Sequence, residues 1–585
     1  MFRGILKLCA GAGCLLIGIS NVGGQQTPAF TQVIVFGDSL SDTGNVRVRT
    51  GDKSGGTVDY PSHTFNYDNG RFTNDNSTDP ASSTYAGVWH EQLAVQFLGL
   101  PGPTHSLGGG LNYAFGGATT MDGTHDETAV STPLGDVVIT IDDMGKQMDD
   151  YLASHVIDPA ALYIVWGGSN DLRNDDSTAS VTAAATRATM LVSRLANAGA
   201  KYIMVPNVAP LGDIPKYADD PVRIATLNAD AAQYRTELDS NLTGLRSSLM
   251  AQNINVTIYR PDIWADTVRI FSNGPRYGFT NITSPAQDSD GNPDEYVFWD
   301  DKHPTTAGHY QIAQSAFNSI AKPPPSPSKS LNISTRMFVD TGERVSIAGF
   351  IITGDVAKKV LIRGLGPSLA AHGVPTPMAD PTVTLFNQSG TAQMTNDDWK
   401  NSPDATEITN SGLAPTEDRE SVIIATLPPG QFTAQLAGKT GDTGNGTIEV
   451  YDLSSSSSAT LANLSTRGYV GTGDDVLIGG VIIGPGDNPI MVFRALGPTL
   501  SSLGVVNPLL DPTLELFDSN GTSIASNDDW KTPQIQAVRS VNLAPTDDRE
   551  AALVSAFLSP GNYTAVVRGK NNATGVALVE VYRVP

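Results

Sequence analysis

At 585 residues the chain is too long for one hydrophobic core, so two to four domains are expected. A formal net charge of −23 repels nucleic acid and anionic lipid surfaces, which removes both from the expected partners. The two cysteines, Cys9 and Cys14, both precede Gly24, so no disulfide framework is available to the rest of the chain.

The first residues carry Arg3 and Lys7, then an apolar stretch with Leu15, Leu16, Ile17 and Ile19, then small residues around Val22, Gly23 and Gly24. This is the layout of a secretory signal peptide. The apolar stretch is broken by glycines and falls short of the ~20 residues that span a bilayer. Met1–Gly24 is read as a leader removed on export, which predicts a secreted, extracellular or periplasmic protein with no transmembrane segment.

From residue 29 to 321, short apolar runs alternate with helical patterns. Strands are predicted at Val33–Phe36, Asn112–Phe115, Leu162–Trp166, Tyr202–Val205 and Val256–Tyr259. Helices are predicted at Val88–Leu98, Met144–Leu152, Val181–Ala198 and along the 3.6-period series from Ile224 to Leu249. That alternation predicts an α/β domain in three layers, α/β/α, with a parallel sheet covered on both faces.

The first predicted strand runs into Gly37, Asp38, Ser39 and Leu40, followed by Ser41, Asp42, Thr43, Gly44 and Asn45. Alone, a serine after a Gly-Asp turn could be a helix cap. Three more blocks follow in order: Asn112 to Thr120 with Gly116 and Gly117, then Gly167-Gly168-Ser169-Asn170-Asp171, then Phe298 to Thr305 with Asp300, Asp301 and His303. In these four ordered blocks the N-terminal half resembles the GDSL/SGNH family of lipolytic enzymes, and most nearly its lipase, phospholipase and haemolysin branch.

The resemblance implies a serine carboxylic-ester hydrolase with a triad of Ser39, Asp300 and His303 and no cofactor or metal. The family's Asp-x-x-His spacing selects Asp300, with the adjacent Asp301 as the weaker option. Its oxyanion hole maps onto Ser39, Gly117 and Asn170, and alignment on Ala118-Thr119-Thr120 favours Gly117 over Gly116.

Elementary chemistry points the same way. Ser39, Gly117 and Asn170 each fall just past the carboxyl end of a predicted parallel strand, the edge where open α/β sheets place ligands. Ester hydrolysis needs a hydroxyl relieved of its proton, a task suited to a neutral imidazole, and a carboxylate to hold the other ring nitrogen. Taken singly, the glycine pair reads as a turn, Asn170 as a turn cap and His303 as a loop residue before a proline.

Other chemistries find less support. The remaining histidines show no His-Glu-x-x-His spacing, and no Gly-x-Ser-x-Gly elbow is present. Asp288, Asp290, Asn292 and Asp294 alternate as in a calcium loop, but the twelfth position is Trp299 and the glycine is misplaced, which favours a solvated loop. Trp166 and Trp299 read as core residues.

Residues 322–329, rich in proline and serine, read as a stiff linker, and the serine run at 454–458 as a second break. Around that second break lies a repeat at an offset of 131 residues: Ser334-Thr335-Arg336 returns as Ser465-Thr466-Arg467, and Asn396 to Lys400 as Asn527 to Lys531. Alternating runs such as Thr382–Phe386 and Thr513–Phe517 predict two tandem all-β sandwich domains, 330–453 and 459–585, arranged as beads on a string.

The expected substrate is an acyl ester of a lipid or a small alcohol, with an acetylated glycan as the alternative. For the tail modules a cell-surface or carbohydrate ligand is expected. A non-catalytic adhesion protein is the rival from another class, disfavoured by the intact Ser39, Asn170, Asp300 and His303. An outer-membrane barrel formed by the tail is disfavoured by its long polar stretches and the repeat.

Overall fold

A computed structural model describes residues 28–75, 85–132, 135–287, 289–321, 328–454 and 458–584. The leader Met1–Gly24, residues 322–327 of the proline-rich linker, residues 455–457 of the serine run and Asp288 of the acidic loop lie outside the described residues. Two compact units are divided between residues 324 and 325.

In the first unit the strands are β1 (Val33–Gly37), the hairpin β2 (Thr124–Thr132) and β3 (Gly135–Asp142), β4 (Leu162–Trp166), β5 (Tyr202–Met204), β6 (Thr257–Tyr259), β7 (Asn281–Pro285) and β8 (Tyr296–Phe298). The helices are α1 (Asn45–Ser54), α2 (Trp89–Gln92), α3 (Met144–Ser154), α4 (Ser169–Asn174), α5 (Thr178–Ala198), α6 (Pro221–Ala251), α7 (Ile263–Ser272) and α8 (Thr306–Ala321). The central sheet is parallel, in the order β1-β4-β5-β6, with Val33 beside Leu162, Leu162 beside Tyr202 and Tyr202 beside Thr257.

Both faces of this sheet are covered, which is why its strands read as nearly continuous apolar runs. Ile34, Phe36, Tyr163, Val165 and Ile203 pack under α3, α5 and α6. On the other face Val33, Val35, Leu162, Ile164 and Met204 pack against Trp89 and Leu93, Ile263 of α7, and Ala313, Ala316 and Ile320 of α8. The three-layer α/β/α prediction therefore holds. Among the described residues no helix is long and apolar enough to cross a membrane.

One predicted strand is corrected. Asn112–Phe115 runs parallel beside β1, donating from Tyr113 N–H to Val35 and from Phe115 N–H to Gly37, but forms only an isolated bridge. The reason is local: the Gly37 N–H, which the next rung would need, goes instead to Oε1 of Gln147 at 2.9 Å, so the ladder stops after one bridge. The helix predicted at Val88–Leu98 is α2 continued by a π-helical turn over Leu93–Leu98.

The second unit is antiparallel and sheet-rich. Its strands are β9 (Ser330–Val339), β10 (Ser346–Thr353), β11 (Lys358–Leu365), β12 (Pro381–Asn387), β13 (Ala392–Asn396), β14 (Ser421–Leu427), β15 (Gly430–Gly438) and β16 (Gly444–Asp452). The same order returns in β17 (Thr460–Val470), β18 (Leu477–Ile483), β19 (Ile490–Leu496), β20 (Pro512–Phe517), β21 (Ser523–Asn527), β22 (Ala551–Ser555), β23 (Gly561–Gly569) and β24 (Gly575–Val584). The two halves are not beads on a string. Strand β9 pairs with β16 on one side and β18 on the other, while β17 pairs with β24 and β10.

Thr335 and Thr466, equivalent positions in the repeat, meet through their hydroxyls at 2.8 Å in a buried contact. Ile333, Phe350, Leu464, Val481 and Phe493 share one core. Each half alone would leave strand edges and an apolar face uncovered, and the exchange of first strands removes both.

Candidate active site

The chain leaves β1 through a glycine because β4 runs too close for a side chain: a Cβ on Gly37 would sit 2.7 Å from the carbonyl of Trp166. Gln147 of α3 then grips the Gly37 backbone, accepting from its N–H and donating to its carbonyl, both at 2.9 Å. Asp38 closes the turn by accepting the N–H of Leu40 at 3.1 Å. This leaves Ser39 half-buried at the strand's carboxyl end.

Three segments distant in sequence are tied together beside Ser39. Asp42 accepts the N–H groups of Gly44, Asn45 and Val46 at the start of α1, and that of Gly116 at 2.9 Å. Asn45 donates its amide to the carbonyls of Asn112 and Ala114. Asn170 donates to the carbonyl of Ala118 at 2.9 Å, and the neighbouring Asp171 accepts from both the N–H and hydroxyl of Thr120. Satisfied buried networks of this kind specify one arrangement, because each broken member would leave an unpaired polar group.

The fourth block arrives between β8 and α8. Nε2 of His303 lies 2.9 Å from Oγ of Ser39, and Nδ1 lies 2.7 Å from Oδ2 of Asp300. An ionised carboxylate only accepts, so Nδ1 carries the proton and Nε2 offers its lone pair to the Ser39 hydroxyl. The other oxygen of Asp300 accepts the backbone N–H groups of Lys302 and His303, both at 2.7 Å. Burial would push this carboxyl up, but the facing His303 and these donors together hold it below the usual carboxylate range. The side chain of Asp301 is exposed, so Asp300 is the carboxylate that meets the imidazole.

The expected oxyanion donors are distributed as follows. The N–H of Gly116 is committed to Asp42, whereas those of Ser39 and Gly117 engage no other described residue. Gly117 has φ +87°, where a side chain would be strained and would collide with the Glu127 carboxylate on β2. Asn170, 9% exposed, uses one amide hydrogen on Ala118 and keeps the other. Ser39, Asn170 and His303 line one cavity of about 120 Å³, and Gly117 is not among its lining residues.

Three contributors escaped the sequence reading. Tyr67 donates its hydroxyl to Oδ2 of Asp300 at 2.8 Å, from a glycine- and asparagine-rich loop with no periodic signal. Burial and the adjacent Asp300 charge push its phenol up. Arg173 lines the cavity and reaches Oδ1 of Asn170 with Nη1 at 3.3 Å. Its signal was present, since Asn170 and Arg173 are i and i+3 on α4. Phe72 lies against His303, ring centres 5.0 Å apart and tilted by 36°, over the space that Gly116 leaves empty. Asp38 lines the same cavity, its carboxyl pushed up to about 6 by burial.

Residues 33–316 match the family model described as GDSL-like Lipase/Acylhydrolase. Lipase 1 of Photorhabdus luminescens is 31% identical over 211 residues, 35% of this chain and 26% of that protein. A GDSL esterase/lipase of Arabidopsis thaliana is 26% identical over 334 residues, covering 50% of this chain and 87% of its own length. A member of the lipolytic protein G-D-S-L family from Veillonella parvula, known as a crystal structure, is 13% identical and covers 49% of this chain and 96% of its own, with a TM-score of 0.25. Residues 33–316, a little under half of the chain, are accordingly a GDSL-like lipase/acylhydrolase domain.

Proposed function

We propose that the chain is an exported serine esterase that cleaves acyl esters of lipids or small alcohols, with Ser39 as nucleophile, His303 as base and Asp300 as its orienting carboxylate. The reading rests on the contact of Ser39 Oγ with His303 Nε2 at 2.9 Å. In the first step Oγ attacks the ester carbonyl carbon while its proton passes to Nε2, and Asp300 stabilises the resulting imidazolium. The carbonyl oxygen becomes an oxyanion, which the N–H groups of Ser39 and Gly117 and the Asn170 amide would stabilise; one such donor is worth roughly 3–4 kcal/mol.

Collapse of this intermediate breaks the C–O bond, and the leaving alkoxide takes the proton from Nε2. Water, deprotonated by the same nitrogen, then attacks the acyl-serine; the carboxylic acid departs and Oγ recovers its proton. Export is supported by the leader at Met1–Gly24.

The test is steady-state kinetics on a nitrophenyl butanoate with wild type, Ser39→Ala, His303→Ala and Asp300→Asn. We expect kcat to fall about 10⁴-fold or more in the first two and substantially in the third, with folding retained. Undiminished turnover in Ser39→Ala would remove the nucleophile assignment.

A further inference from the structure

The cavity that opens at Ser39 continues as a trough between two helices. From α7 it is lined by Ile263, Thr267, Ile270 and Phe271, spaced as one helical face. From α8 it is lined by Gly308, Gln311, Ile312 and Ser315. Leu211 and Ile214 close it from the segment after β5. Gly308 is five residues past His303, and from there to Ser315 the helix rises about 10 Å. Most of the lining surface is apolar, with Thr267 and Gln311 as polar interruptions.

A polar pair stands at the Ser315 end of that α8 face. Ser315 donates its hydroxyl to Oδ2 of Asp266 at 2.5 Å, joining α8 to α7, while Arg269 donates to Oδ1 at 2.9 Å. Asp266 and Ser315 both line the trough. A methylene pressed against this carboxylate would cost the pair part of its solvation and gain no apolar contact.

We infer that the trough between α7 and α8 is the acyl-binding site, that it takes an unbranched acyl chain well beyond acetyl, and that Asp266 with Ser315 sets the upper length. The inference rests on the serine-esterase reading above and adds the substrate class. The acyl group is the better occupant because it stays bonded to Ser39 through the acyl-enzyme and gains from enclosure. The alcohol must collect a proton from His303 and leave, so an enclosed trough would retain it.

The test holds the alcohol constant and varies the acyl group from acetyl to hexadecanoyl on the full chain. Each methylene that enters the trough is worth roughly fourfold in kcat/KM. The trough's ~10 Å places the maximum at roughly six to eight carbons, with no further gain beyond it. In Asp266→Leu/Ser315→Ala the maximum moves at least two carbons longer. Should that variant fold poorly, Ile312→Phe, which narrows the trough midway, lowers the octanoyl-to-acetyl ratio tenfold or more.

An acetyl optimum in wild type, with activity abolished in Ser39→Ala, overturns the inference and leaves the esterase reading standing. A rate indifferent to the length of the acyl group does the same. Hydrolysis of no ester at all overturns both.

Discussion

The Tyr67 hydroxyl and Nδ1 of His303 share one oxygen of Asp300, at 2.8 and 2.7 Å, so a residue 233 positions away helps to fix the carboxylate that holds the His303 imidazole. Hydrogen bonds to charged groups contribute roughly 1.5–3 kcal/mol. Only the part that holds Asp300 in place as charge develops on the imidazole bears on the rate. We expect Tyr67→Phe to lower kcat about 3- to 10-fold with KM little changed, measured on a short nitrophenyl ester. A change confined to KM would give Tyr67 a role in binding instead.

Arg173 touches the site through Asn170. Its donation to Oδ1 of Asn170 keeps the amide's N–H group turned toward Ala118 and the cavity rather than flipped. Asn170→Ala should lower kcat roughly 10²- to 10³-fold. Arg173→Met should lower it less, about tenfold. The double variant should be no slower than Asn170→Ala alone, because the two residues act as one unit. Losses that multiply would show that Arg173 works independently of the amide.

His309 begins a pH effect that the triad does not explain. It is fully buried on α8, Nδ1 accepts the N–H of Trp89 at 3.3 Å, and burial, aided by His303 and His90, pushes the imidazole down to about 3 from an ordinary 6.5. With the folded value the lower one, the unfolded chain binds this proton first as the solution acidifies. Stability is therefore lost as pH falls from 6.5 toward the folded value, at about 1.4 kcal/mol per pH unit. In His309→Gln this contribution is absent. The stability advantage of wild type over the variant should shrink by roughly 2 kcal/mol between pH 6.5 and 5 in denaturant titrations. A gap that is constant over that range contradicts the burial argument.

In the tail, β9 and β17 each serve both repeats. Removing residues 459–585 should therefore not leave a folded first repeat: β9 and β10 would each lose a partner strand, and Phe350 and Ile333 part of their cover. We expect the shortened chain to aggregate, as read by size-exclusion chromatography, since unpaired strand edges are templates for association. A monomeric product with a cooperatively folded first repeat would restore the beads-on-a-string arrangement.

Legibility differed between local and long-range features. Val33–Phe36 and Leu162–Trp166 were readable because strands buried on both faces are apolar at every position. The four blocks singled out Ser39, Asn170, Asp300 and His303 as the proposed site, while the contact of Ser39 with His303 across 264 positions is visible only in the folded chain. Asn112–Phe115 misled because its apolar residues mimic a strand, while the Gly37 N–H that would extend its pairing with β1 is taken by a residue far along the chain, Gln147. Tyr67 was invisible because a loop residue has no period to betray its direction. The exchange of β9 and β17 was hidden for a related reason: alternation in a strand reports which face is buried, not which neighbour it pairs with.

The most direct measurement is covalent trapping. The full chain would be treated with an alkyl organophosphonate, which a deprotonated serine attacks at phosphorus with loss of the leaving group, and the adduct mapped by mass spectrometry. We expect one label per chain on Ser39, formed in step with loss of esterase activity and greatly slowed in His303→Ala. A label on another serine that tracks the loss of activity, or full activity after Ser39 is occupied, would contradict the account.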